Sequence, residues 1–363
     1  MNPCDIPYNH KLRIMKILII DYMSVPAHQN FNKIHIDVLL SQGHSLTLVG
    51  RKGQFDNIGA KQNVPRLVIP EFFYYRHPFP QLSTRIQGNL CLLWIRGIIK
   101  FKIFDCVVIP TYDILSFFLF RVPNKVVIID HNNVSQLENK VKRLLTILLP
   151  KRFIHVALNS LMEARLRELF PDKTIYHIPH GVLFKPVESN LPHFLNSEKA
   201  FFFCPVNSNY NKDFVQAAFN SAELQDYLEQ LGMQMYIKTS LNIHPSSANI
   251  SSVSTLSNAE YDYMISHASA VILPYSNLFK YRCSGVLFEC VSYDTPVLAT
   301  KLEDMLIYQD IINIKFFDNP QSMVTGLNEL LFSPPMKNDV AKLNPATYWE
   351  KMIAIEFPLE VKK

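Results

Sequence analysis

Glycine is scarce in this chain, ten residues in 363, so the glycine-rich loops that wrap phosphates in many nucleotide-binding proteins are not an available device. Long uncharged apolar runs are absent too. The nearest candidate, Gly88 to Phe104, is broken by Arg96, Lys100 and Lys102, short of the ~18 residues of a spanning helix. No Cys-x-x-Cys pair and no Cys/His cluster at zinc spacing appears. The six cysteines (Cys4, Cys91, Cys106, Cys204, Cys283, Cys290) are scattered, most of them inside apolar runs. That pattern excludes a disulfide framework and points to a reducing, cytoplasmic setting. Asp-x-Asp is missing as well, so no metal ion is implied. Nor does any segment show the dense Arg/Lys with interleaved aromatics of a nucleic-acid surface, and nucleic acid is not expected as a partner. The opening "KLRIMKILIIDYM" has the basic-then-apolar order of a signal peptide, but Asp21 cuts into it and no small-residue cleavage site follows. It reads as a buried first strand, with residues 1 to 14 a loose extension ahead of Met15-Lys16, which resembles a translation start.

What is present is core-forming material. The chain is 48% hydrophobic and 12% aromatic, and its length calls for two domains. Charged residues make up 18%, below the usual ~25%. Their distribution is uneven. Residues 1 to 198 carry 24 Lys+Arg against 14 Asp+Glu, and residues 199 to 363 carry 12 against 17. The basic first half should face something anionic.

Strand-like and helical patterns alternate along the whole chain. "KILIID", "SLTLVG", "FDCVVIP", "NKVVIID", "FIHVALN" and "TIYHIP" are short and β-branched, the composition of strands buried on both faces of a parallel sheet. Gly43 closes a helix over Phe31 to Gln42. The alternation restarts with "AFFFCP", a helix from Asp213 to about Leu231, "MQMYIKT", a helix from Asn258 to His267, "AVILP" and "NIKFF". The fold class expected is α/β, two doubly wound Rossmann-like domains facing a cleft. The boundaries read as a first domain over 1–184, a linker over 185–198, a second domain over 199–344, and a C-terminal helix over 345–363 crossing back to the first domain.

Several segments, taken in order, resemble a known family. "FIHVALNSLMEARLRELFPDKTIYHIPHGV" is similar to the strand-helix-strand that precedes the linker in retaining GT-B glycosyltransferases of the group 1, or family 4, type. "HASAVILPYSNLFKYRCSGVLFECVSYDTPVLAT" resembles that family's donor-site segment, "SQGHSLTLVG" its early Gly-His strand, and "NYNKDFVQAAF" the lysine and helix that open its second domain. "TYWEKMIAIEF" sits where the family has a tryptophan-bearing terminal helix. The resemblance covers Lys16 to Phe357 and implies the GT-B fold.

It also implies roles. Ser284 and Gly285 at a helix start would offer main-chain N–H groups and the positive end of the helix dipole to a diphosphate, with Gly285 letting its oxygens approach. Val286 belongs to the same turn. Arg282, Lys280 and Lys212 would balance the remaining charge. Glu289, one and a half turns in, matches the family glutamate that accepts hydrogen bonds from the ribose hydroxyls. His131, after the strand "VVIID", corresponds to a histidine near the donor sugar and is the catalytic candidate. Asp113 reads as a helix cap rather than the base of an inverting variant, and His180 as a residue that shapes the hinge. Four departures stand out. The family's Glu-x7-Glu has Tyr281 at its first position, Asp294 stands where glycine is usual, and "SVPAHQNFNK" lacks the glycine-rich turn after the first strand. The arginine expected before Lys212 is also missing, with Asn207 and Asn209 in its neighbourhood.

The implied activity is transfer of a sugar from a nucleotide-diphosphate donor to a saccharide or polyprenyl-linked acceptor, with retention and without a cofactor or metal, in the synthesis of a surface polysaccharide such as capsule or lipopolysaccharide O-antigen. Two alternatives share the architecture: a nucleotide-sugar 2-epimerase, and a non-catalytic nucleotide-sugar-binding relative. "RIQGNLCLLWIRGIIKFK" and "NKVKRLLTILLPKRF" set Arg and Lys beside Leu, Ile and Trp, a composition that suits peripheral contact with an anionic membrane. The loop "TSLNIHPSSANISS" is a candidate for reading the base.

Overall fold

The near-continuous apolar runs become parallel strands with both faces covered, as their composition requires. A computed structural model describes residues 13–25, 28–58, 64–74, 80–118, 120–188, 190–195, 199–206, 210, 212–239 and 248–358. The chain divides into two compact units, Met1–Pro179 with Pro345–Lys363, and His180–Asn344.

The first unit holds a seven-stranded sheet of β1 (Lys16–Asp21), β2 (Ser45–Arg51), β3 (Arg66–Ile69), β4 (Cys106–Ile109), β5 (Lys125–Ile129), β6 (Phe153–Ala157) and β7 (Thr174–His177), in the order β3-β2-β1-β4-β5-β6-β7. All its pairings are parallel. Its helices are α1 (Gln29–Ser41), α2 (Pro80–Ile98), α3 (Ile114–Phe117), α4 (Lys140–Ile147) and α5 (Ser160–Leu169). Right-handed crossovers running in opposite directions from the β1/β4 junction place α1 on one face of the sheet and α2, α3 and α4 on the other. On that second face α3 packs against both α2 and α4. The core there joins Leu18, Ile20, Val107, Ile109, Val126 and Ile128 of the strands to Cys91, Ile95 and Phe117 of the helices. Gly88 of α2 is needed for this packing, because a Cβ there would lie 2.9 Å from Ser116 Oγ and 3.1 Å from Tyr22 Cε2.

The second unit repeats the plan with six strands, β8 (Phe201–Pro205), β9 (Gln234–Lys238), β10 (Ile250–Val253), β11 (Ala270–Leu273), β12 (Val297–Thr300) and β13 (Ile314–Phe317), ordered β10-β9-β8-β11-β12-β13. Its helices are α6 (Lys212–Phe219), α7 (Ala222–Leu231), α8 (Asn258–His267), α9 (Gly285–Ser292), α10 (Glu303–Leu306) and α11 (Pro320–Phe332). The last helix, α12 (Ala346–Glu356), returns to the first unit. Its Trp349 is buried and donates from Nε1 to His35 Nδ1 at 2.9 Å, and Lys125 Nζ meets Glu356 Oε2 at 2.8 Å.

Two expectations are corrected. The single helix expected from Asp213 to about Leu231 is two helices, because the Ser221 hydroxyl accepts from Leu224 N at 3.2 Å and starts α7 afresh. The segment assigned to a base-reading loop ends instead in the edge strand β10; residues 240–247 of that loop lie outside the described residues. Among the described residues no helix is long and apolar enough to cross a membrane.

Candidate functional site

In an open α/β sheet, ligands collect outside the carboxyl ends of the strands where the strand order reverses. Each unit has one such point, between β1 and β4 in the first and between β8 and β11 in the second.

In the second unit, the chain leaves β8 and β11 side by side. Tyr210 and Tyr275 form an antiparallel bridge there, and their rings stack 4.9 Å apart. Tyr275 also stacks on Phe279 at 4.0 Å, and its hydroxyl is hydrogen-bonded to Ser284 Oγ. This buried aromatic ladder ties the "NYNK" segment that opens α6 to the segment that opens α9. Lys212 is the first residue of α6; its side chain, like Asn207 and Asn209, lies outside the described residues.

The loop before α9 is held from below by Asp304, buried on α10. Its Oδ2 accepts from Tyr281 N at 3.0 Å and its Oδ1 from Arg282 N at 3.1 Å. Burial raises the Asp304 pKa, and the two main-chain donors oppose that shift. Tyr281 adopts a left-handed backbone, φ +53, a conformation that strains a bulky residue by about 1–2 kcal/mol. The Lys280 ammonium lies over the Tyr281 ring, 5.0 Å from its centroid. Arg282 is half-buried; burial lowers its pKa and Asp304 counters the shift.

Ser284 caps α9, its hydroxyl accepting from Leu287 N at 3.1 Å. One first-turn donor is therefore spent on the cap, which refines the expectation of open amides. Gly285 and Val286 N–H are the remaining donors with no helix carbonyl to take them. No atom would come within 4 Å of a Cβ on Gly285, so the approach to this turn is open. Val286 and Glu289 are half-buried. The Glu289 charge adds to burial in raising the pKa of Tyr261 and Cys290. On the other side of α9, Phe288 stacks on His180 at 4.4 Å with the rings 7° from parallel, so His180 braces this helix. After α9 the chain turns back at Asp294, φ +58, whose Oδ1 accepts from Asn338 Nδ2 at 2.6 Å.

The first unit carries a cavity of about 370 Å³ at its own switch point, lined by Met23 and Val25 after β1, Thr111, Tyr112 and Asp113 after β4, and His131, Asn132, Asn133 and Gln136 after β5, with His28 and Arg85. His131 is buried; His28 stacks on its ring at 4.4 Å and Phe31 presents an edge at 4.7 Å. Burial lowers the His28 pKa to about 4, and its Nδ1 lies 2.9 Å from Thr111 Oγ1. The neighbouring Asp130 is occupied: the Tyr112 hydroxyl donates to one oxygen, and His155 Nδ1 lies 2.9 Å from the other. Asp113 caps α3, accepting from Ser116 N at 3.1 Å. Behind the cavity, Asp21 accepts from Ser24 N (2.9 Å), Asn32 Nδ2 (2.7 Å) and Gln54 Nε2 (2.7 Å), and burial raises its pKa to about 6.

Within the second unit the structure thus brings Tyr281, Arg282, Ser284, Gly285, Val286 and Glu289 onto one loop and helix start. His131 stands in the first unit, on its cavity. Sequence reasoning missed Tyr275, Asp304 and the Asp21 cluster; a lone buried carboxylate or tyrosine carries no spacing signal. Among the described residues no three His, Cys, Asp or Glu side chains converge as a metal site.

No protein-family model matches the chain, and no curated protein matches it by sequence. Solved structures do match. A UDP-GlcNAc 2-epimerase from Methanocaldococcus jannaschii aligns with TM-score 0.59 at 13% identity over 94% of this chain and 98% of its own. HepE from Anabaena in complex with UDP-glucose aligns with TM-score 0.55 at 12% identity over 94% and 95%. A glycosyltransferase from Rickettsia africae aligns with TM-score 0.54 at 13% identity over 94% of each. At these identities the likeness shows the fold: two doubly wound domains of the GT-B type.

Proposed function

We propose that the protein is a glycosyltransferase that takes a sugar from a nucleotide-diphosphate donor held at the start of α9. The observation that carries this reading is the turn at Ser284–Gly285: it is capped by a buried serine, open at Gly285, and followed one helical turn later by the half-buried Glu289. The Gly285 and Val286 amides and the α9 dipole would take the diphosphate oxygens, strengthening as negative charge builds on the leaving group. Lys212, Lys280 and Arg282 would neutralise the rest, Tyr281 would pack beside the donor, and Glu289 would accept from the ribose diol. His131, on the cavity of the first unit, is the residue we assign to the reacting centre. Transfer with retention, to a saccharide or polyprenyl-linked acceptor in a cytoplasmic step of surface-polysaccharide synthesis, is the form the sequence resemblance favours. The reading needs neither metal nor cofactor beyond the donor.

A specific observation supports a second reading. One of the aligned structures is a 2-epimerase, and an epimerase would use the same donor turn without an acceptor.

Calorimetry of the purified protein against UDP, GDP, CMP and their common sugars tests the donor turn, repeated with Glu289→Ala. Hydrogen bonds to a charged acceptor contribute about 1.5–3 kcal/mol, so the variant should bind its nucleotide sugar roughly 10- to 150-fold more weakly. Unchanged affinity in Glu289→Ala, or no binding of any nucleotide, would overturn the reading. Product analysis with the nucleotide sugar that binds then separates sugar transfer from C2 inversion.

A further inference from the structure

Helix α4 turns most of its apolar residues outward, with Leu145 packing on the core. Its exposed side is Val141, Leu144, Ile147 and Leu148, 49–60% accessible, while Thr146 is buried and Lys142 and Arg143 are half-buried. Those two basic heads are tied to protein: Lys142 Nζ donates to Gln136 Oε1, and Arg143 Nε donates to the Leu137 carbonyl at 3.1 Å. A helix on the surface of a globular domain normally shows the reverse arrangement. Helix α2, on the far side of α3, does the same with Ile86, Leu90 and Leu93, spaced four and three residues apart and 44–62% accessible, and Ile98 and Ile103 extend the strip at its end. One face of the first unit therefore carries two parallel apolar strips flanking α3.

The charge around these strips selects what can cover them. Between Pro80 and Arg152 there are eleven lysines and arginines and four acids. Each acid is already engaged: Asp105 pairs with Arg13, Asp113 caps α3, Asp130 is buried between Tyr112 and His155, and Glu138 pairs with Arg165. Arg96, Lys100, Lys102, Lys140 and Lys151 are exposed, and none of them is in an ion pair among the described residues. Lys140 and Lys151 close the two ends of the α4 strip. A second copy of this face would bring like charges together, whereas an anionic bilayer would accept both features, with the apolar side chains dipping below the headgroups and the ammonium groups among them.

We infer that the α2/α4 face docks the protein on the surface of an anionic phospholipid membrane, without spanning it. This does not depend on the donor turn, which lies in the other unit.

Vesicle co-sedimentation tests it, using the full chain with phosphatidylcholine vesicles and with vesicles containing one third phosphatidylglycerol. The protein should pellet with the anionic vesicles and stay in solution with the neutral ones. Leu144→Ser/Ile147→Ser should lower the partition coefficient about tenfold, and Lys140→Glu/Lys151→Glu should lower it at least as much. These side chains are exposed, so both variants should keep the wild-type melting temperature. Glu289→Ala should pellet as wild type does, which keeps failure of the donor reading separate. The inference is overturned if the wild type does not pellet with anionic vesicles, if either double variant pellets unchanged, or if ultracentrifugation shows a dimer that Leu144→Ser/Ile147→Ser dissociates.

Discussion

Removing the Asp304 carboxylate should loosen the turn before α9, where we place the donor. Asp304 accepts the main-chain N–H groups of Tyr281 and Arg282 at 3.0 and 3.1 Å, and Tyr281 is held at φ +53 by that grip. Each hydrogen bond to a charged acceptor contributes about 1.5–3 kcal/mol. Burial raises the Asp304 pKa, so the fold gives back part of that gain by keeping a charge out of water. A net loss of about 2–3 kcal/mol for Asp304→Ala follows, before the left-handed strain of about 1–2 kcal/mol at Tyr281 is allowed to relax. Hydrogen exchange read on a peptide spanning residues 276–288 is the assay. Amide exchange at Tyr281 and Arg282 should become roughly 30- to 150-fold faster in Asp304→Ala, since about 1.4 kcal/mol is a factor of ten. Asp304→Asn, which keeps one acceptor oxygen, should fall between the two. Nucleotide affinity should drop with the protection. Exchange in that peptide as slow as wild type in Asp304→Ala would refute the reasoning, because the turn would then be held by something else.

Two further predictions concern stability alone. The Asp21 pKa is raised by burial to about 6 from 3.8, so the folded state keeps a proton that the unfolded state has lost between those values. The sign follows: stability from this group is full below about pH 4 and falls by about 3 kcal/mol as pH rises to 6 and beyond. Asp21→Asn should remove that slope in urea titrations at pH 4 and 6.5; equal slopes in both proteins would sink the idea. At Asp294, φ +58 with a 2.6 Å bond from Asn338, replacement by glycine trades that bond for relief of strain and should stay within about 0.5 kcal/mol of wild type. Asp294→Ala loses the bond and keeps the strain, and should cost about 1–2 kcal/mol in the same titration.

The central strands were legible because burial on both faces leaves an uninterrupted apolar signature. β1, β4, β5, β6, β8 and β11 all coincide with such runs. The two strands that went unread, β3 and β10, each form one edge of a sheet; the opposite edges, β7 and β13, were read and carry no exposed position. "RLVI" and "ISSV" are covered on fewer sides and include exposed positions, so little in their composition sets them apart from loops. The division between α6 and α7 turned on one serine hydroxyl choosing a main-chain partner, a local competition that apolar periodicity does not register.

The site was legible where function depends on residue type at fixed spacing along one segment, and illegible where support arrives from elsewhere in the chain. Ser284, Gly285 and Glu289 sit within six residues of one another and could be read together. Tyr210, 65 positions before Tyr275, could not. Two of the departures that the sequence displayed, the turn after β1 and Asp294, fall where glycine was expected. Among the described residues, three other than glycine hold left-handed backbone: Ser24, Tyr281 and Asp294. Ser24 makes the turn after β1 that the resemblance assigned to glycine, donating its hydroxyl to the Asp21 carbonyl at 2.7 Å while its N–H meets the Asp21 carboxylate. Asp294 makes the turn before β12 and is held by Asn338, which also accepts from Asn313 N at 2.7 Å. Tyr281 is held by Asp304. Another segment supports each turn, Asp304 at Tyr281, Asn338 at Asp294, and at Ser24 the Arg51 N–H, which donates to its hydroxyl at 2.9 Å, offsetting strain of about 1–2 kcal/mol. A glycine would leave these turns free to open. Here each turn closes only when its partner segment is in place, so the geometry at both switch points depends on the tertiary fold rather than on the local sequence, and a motif search confined to the loop sees only the absence of glycine.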